Sequence, residues 1–137
     1  MQDLTGYFKG LADLNRLRIL NLLLHGELCG CDIQHVMGTS QPNVSRHLTY
    51  LKNCGLVVDR REGFRVFYSL ASSRQGALAA LFEFLGKVFK NEETLRKDAR
   101  KLKQAITAGS CTVSQWRVSP AVTRARSSAA SGARARA

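Results

Sequence analysis

"GTSQPNVSRHLTYLKNCG", Gly38 to Gly55, reads as one helix with its punctuation intact. Ser40 is a natural N-cap, Pro42 is tolerated only in a first turn, and Gly55 closes the far end. Val44, Leu48 and Leu51 recur at spacings of four and three, so one face is apolar. Asn43, Ser45, Arg46, His47, Thr49 and Lys52 populate the remainder. Such a helix packs along its stripe and offers polar and basic groups elsewhere, as contact with a polyanion requires.

Downstream, Leu56-Val57-Val58 opens a strand and "REGF" predicts a tight turn at Glu62-Gly63. Phe64, Val66, Tyr68 and Leu70 then alternate with Arg65, Phe67 and Ser69, which completes a β-hairpin. Arg60, Arg61 and Arg65 sit around its tip. Upstream, a short helix is expected over Cys31 to Met37, ending at Gly38. Before it, helices are expected from Leu14 to about His25 and over residues 3–12.

From near Arg74 the pattern predicts one long helix. Leu78, Leu85, Ala99 and Ile106 fall on a seven-residue row that Glu92 interrupts, and Leu81, Val88, Leu95 and Leu102 fall on a second. That stripe exceeds what one small domain covers and predicts a homodimer through the terminal helices. Residues 1–108 form the expected domain, and 109–137, rich in Ala, Arg, Ser and Gly, an expected disordered basic tail.

The net charge is +11; residues 117–137 hold five arginines and no acid, which leaves +6 on the rest. A nucleic acid is therefore a natural partner. No run of eighteen apolar residues exists, and Asp3 and Asp13 break any signal-peptide reading of the start. A cytoplasmic protein without membrane association is expected. No Cys-x-x-Cys, phosphate-cradling loop or base–nucleophile constellation occurs, so an enzyme is not expected.

Helix, Gly-containing turn, helix and basic hairpin together make a mainly α, winged helix-turn-helix pattern. A helix fits the major groove of double-stranded DNA, and a hairpin with arginines can lie along the adjacent backbone. The stretch "FKGLADLNRLRILNLLL…GELCGCDI…SQPNVSRHLTYLKNCGLVVDRREGFRVFYSL" closely resembles the ArsR/SmtB family of metal-responsive bacterial repressors, over residues 4–70. The resemblance implies a homodimer on a near-palindromic operator, released when a toxic metal or metalloid binds. It also implies that Gln41, Ser45, Arg46 and His47, with Arg60, Arg61 and Arg65, face DNA; Asn43 and Lys52 share that helix.

The remaining signal is Cys29-Gly30-Cys31. A helix start favours thiolate, and thiolates select soft ions. Two positions apart on an ideal helix, however, side chains point roughly 200° apart, so gripping one ion requires the first turn to unwind. "ELCGCD" resembles the family's arsenic-sensing "ELCVCD" box, which implies As(III) or Sb(III) as inducer. That box has a third cysteine three residues on, where this chain has Gln34. Cys54 and Cys111 are the other candidate donors. The set His25, Cys29, Cys31 and His35 offers a zinc alternative. Cadmium, lead, or oxidation of the thiols to a disulfide or persulfide also remain open as inducers.

Overall fold

The computed structural model describes residues 2–71 and 76–108. The Ala/Arg-rich tail and Cys111 lie outside the described residues. In chain order these form α1 (Gln2–Leu11), α2 (Leu14–Leu23), β1 (Leu28–Cys29), α3 (Gly30–Met37), α4 (Gln41–Asn53), β2 (Val57–Glu62), β3 (Arg65–Leu70), α5 (Ala77–Val88), a 3-10 turn (Phe89–Asn91) and α6 (Glu93–Ala108). The sheet is antiparallel in the order β1-β3-β2. Among the described residues no helix is long and apolar enough to cross a membrane.

Local chemistry sets the boundaries. The Asp13 carboxylate accepts from the backbone N–H of Asn15 (2.8 Å) and Arg16 (3.2 Å), which starts α2. Gly38 ends α3 at φ +66°, a left-handed conformation that a side chain would strain, and so turns the chain into α4. Ile19, Leu20 and Leu22 of α2 meet Ile33 and Val36 of α3 and Leu48 and Leu51 of α4 in a fully buried core. That packing fixes α4 against the body and leaves its other face outward.

The hairpin forms where the alternation places it, but with a different inner face. Glu62 pairs with Arg65, so the turn is Gly63-Phe64, and Phe64 is fully exposed at the tip. Phe67 is the buried residue of β3. The reason is β1, a two-residue strand that periodicity does not reveal. It adds to the outer edge of β3 and pairs Cys29 with Phe67.

The long helix is broken. Glu92 is extended (φ −102°, ψ 121°), and α6 begins anew at Glu93. A straight helix over residues 74–106 would run about 50 Å, well past a core of this size. Folded back, α6 instead packs on α2 and α3 and buries Leu95, Leu102 and Ala105. Arg18 grips Asp98 through two hydrogen bonds of 2.8 and 3.1 Å, and the Asn21 amide donates to the Leu95 carbonyl at 2.9 Å. The second half of the apolar stripe is thus covered by its own chain.

Candidate nucleic-acid interface and thiol site

The start of α4 is tied down by side chains. Ser40 Oγ accepts from the Asn43 N–H (3.3 Å), and the Asn43 amide donates to Thr39 Oγ1 (3.0 Å). The Asn43 carbonyl oxygen in turn accepts from Arg46 (2.5 Å), which sets the guanidinium on the outer face. Gln41, Pro42, Ser45, Arg46, Thr49, Tyr50 and Asn53 line one shallow outer surface. Polar groups along a rigid helix, beside a hairpin with an exposed Arg61, can reach base edges in a groove and phosphates next to it.

The thiols sit on the other side of the turn. Cys29 is buried, ends β1 and is the N-cap of α3: its Sγ accepts from the Cys31 N–H at 3.4 Å. Its own N–H donates to the Asp32 carboxylate at 3.4 Å, which closes a reciprocal capping box. Cys31 is exposed on the first turn. Two thiols at one helix start, one of them open to solvent, suit a soft, thiophilic ion by donor chemistry.

Residues 13–58 match the family described as bacterial regulatory protein, arsR family. The arsenic resistance transcriptional regulator ArsR1 of Pseudomonas putida is 41% identical over 96 residues, spanning 69% of this chain and 73% of that protein. The arsenical resistance operon repressor of Escherichia coli is 49% identical over 65 residues, 47% of this chain and 56% of that protein. The chain belongs to the arsR family. A solved structure, the homodimeric winged helix-turn-helix DNA-binding domain Mb0332 from Mycobacterium bovis, is 36% identical with a TM-score of 0.56, covering 63% of this chain and 77% of that one. This arsR-family chain is accordingly a winged helix-turn-helix transcriptional regulator and not an enzyme.

Within that regulator the expected DNA-facing residues separate into two groups. Gln41, Arg46 and Arg61 are exposed, and Asn43, Ser45 and Arg65 are half-buried at the same outer side or wing. His47 is buried on the inner face beside Val44, Leu48 and Leu51. Desolvation first, then Arg46 and Arg16 against an opposing Asp13, lower its pKa. Lys52 is held by Asp59 at 2.8 Å. Arg60 clamps the buried Glu27 with bonds of 2.7 and 2.8 Å, reaches Glu62 at 3.0 Å and lies 4.7 Å over the Phe67 ring. It braces the wing against the segment that leads into β1.

Tyr50 and Asn53 escaped the sequence reading, although they lie four residues on from Arg46 and Thr49 respectively, on one face. Arg16 did too: it stacks 4.0 Å over Tyr50 while donating to the carbonyls of Gly10 (2.9 Å) and Lys9 (3.0 Å). The thiols are likewise sorted. Cys54 caps the far end of α4 under α1, where a side chain at Gly10 would come within 3.5 Å of its sulfur. Among the described residues no three His, Cys, Asp or Glu side chains gather as a metal-holding group, so neither Cys54 nor the His25/His35 pair joins Cys29 and Cys31.

The buried His47 carries a pH consequence. Its folded pKa is lowered, so the unfolded chain takes the proton more readily, and stability falls as pH drops through and below the unfolded value of about 6.5. His25, also lowered by desolvation and then by Lys103, adds to the same slope. His47→Gln should therefore flatten the loss of stability between neutral and mildly acidic pH, read by urea unfolding at each pH. An unchanged slope would place His47 outside the core.

Proposed function

We propose that this regulator is a homodimeric repressor that leaves its operator when As(III) or Sb(III) is captured by Cys29 and Cys31. One observation carries the reading: Cys29 belongs at once to the α3 cap and, through its pairing with Phe67, to the wing sheet. Cys29 and Cys31 would supply the thiolates to such an ion, and bonding at the Cys29 sulfur would compete with the hydrogen bond it accepts from the Cys31 N–H. To serve an ion, the Cys29 sulfur gives up its cap, whose loss costs at most the roughly 0.5–2 kcal/mol of an oxygen cap. The start of α3 then loosens next to α4, and β1 loosens on β3. Both DNA-contacting elements are thereby coupled to one thiol. A coupling of about 1–3 kcal/mol, 5- to 150-fold in affinity, suffices for regulation, provided the ion prefers the DNA-free conformation. The names of the Pseudomonas and Escherichia relatives support arsenic as the inducer.

Exposed apolar residues support the dimer. α1 leaves Leu4 and Phe8 in solvent, and α5 leaves Phe84 and Val88. Joined across a two-fold axis these helices would set the two α4 helices into successive major grooves, roughly 34 Å apart. Phe8→Glu with Phe84→Glu should sediment as a monomer at a concentration where the parent is a dimer; an unchanged dimer would move the interface elsewhere.

Operator release in a gel shift, with arsenite, antimonite, cadmium, zinc and a persulfide donor in parallel, tests the inducer. Arsenite and antimonite are expected to release DNA at the lowest concentrations, and release by the persulfide donor alone would replace the metalloid with thiol oxidation. Arg46→Ala should cost about 1–3 kcal/mol of operator binding and relax base preference, with the melting temperature unchanged. Arg61→Ala should weaken all DNA about equally and reduce the salt slope by about one. An altered base preference from Arg61→Ala would reverse these roles.

A further inference from the structure

A groove that neither α4 nor the thiol pair uses runs along α6. One stretch has Leu24 and Leu95 in its lining, the next has Leu102 and Ile106, and both share His25 and Ala99. From Leu95 to Lys103 the helix rises about 12 Å, the reach of a medium-length alkyl chain. Ala99, small and half-buried, lines both stretches, so no large side chain stands between them at that position.

Charge sits at the same junction. His25 and Lys103 face each other, close enough that the Lys103 charge lowers the imidazole pKa after desolvation has done so. Among the described residues no acid lines either stretch. Arg96 and Arg100 in the lining are engaged by Glu93, whereas Lys103, and Lys90 at the far end of the first stretch, form no ion pair with a described acid. Two cationic or donor groups over an acid-free apolar floor complement an anionic head on an apolar tail.

We propose that this groove binds a single-chain amphiphilic carboxylate, a medium-chain fatty acid such as dodecanoate, with the carboxylate at Lys103 and His25 and the tail running from there over Ala99, Leu95 and Leu24. The site is independent of the arsenite reading, since its readout is binding itself.

The test is calorimetric titration of the full chain with dodecanoate below its micelle concentration. Saturable binding at one site per chain is expected. Lys103→Glu should weaken it by more than about tenfold, because a charged hydrogen bond becomes a repulsion. Dodecanol, without the charge, should bind at least about tenfold more weakly than dodecanoate. Ala99→Trp should fill the groove and abolish binding, while Lys97→Glu, exposed on α6 but outside the lining, should bind as the parent does. No saturable binding, equal affinity for dodecanol, or an unaffected Lys103→Glu would overturn the proposal. So would a change in sedimentation on Ala99→Trp, which would make a second copy of the chain the occupant.

Discussion

Cys29→Ser and Cys31→Ser should each bind operator DNA with the parent's affinity and remain bound in arsenite. The substitution isolates thiolate chemistry from structure. A serine hydroxyl is a better N-cap than a thiol, so Cys29→Ser keeps the acceptor that the Cys31 N–H uses. The Asp32 carboxylate still accepts from the backbone of residue 29. What is lost is the soft ligand. With a parent response of 5- to 150-fold, losing one of two thiolates should leave almost none. Cys54→Ser should respond like the parent, because its sulfur lies under α1 at the far end of α4. Cys29→Ala adds a structural control: it removes both cap and ligand, and should cost about 1 kcal/mol of stability as well as the response. If Cys29→Ser or Cys31→Ser releases DNA as readily as the parent, the inducing site lies elsewhere.

How far these residues could be placed from sequence follows from what each signal encodes. Ser40, Pro42 and Gly55 are punctuation with direct steric and hydrogen-bonding meaning, so α4 appears where they put it. Two-residue strands carry no period, and β1 therefore left no trace; with it went the knowledge that Cys29 touches the wing. His47 looked like one more polar residue of a reading helix. Its place between Val44, Leu48 and Leu51 on the inner stripe was the available clue. Arg60 was indistinguishable from Arg61 by type, and only the distant Glu27 decides that it braces the wing instead of extending from it. A seven-residue row reports which residues share a face, not whether the backbone between them is straight. Glu92 therefore read as an interruption of a helix and is in fact its end.

That break makes Asp98 the sensitive position of the C-terminal region. If α6 folds back, Asp98 is nearly buried and meets Arg18 across the α2–α6 contact. If the chain continued straight from α5 toward a partner, Asp98 would be one more solvated acid. Removing a carboxylate from a well-formed, partly buried pair leaves the guanidinium without its partner. Full burial would cost about 3–5 kcal/mol, and the residual exposure of Arg18 reduces this to about 2–3 kcal/mol. Asp98→Ala should accordingly melt about 10–15 °C below the parent. Arg18→Leu combined with Asp98→Leu should regain much of that loss, since apolar replacement of both partners removes the stranded charge. The double variant separates the ion pair from helix propensity, which Asp98→Ala alone would improve. Should Asp98→Ala melt with the parent, α6 does not dock on α2, and the unbroken helix with its intermolecular stripe becomes the better description.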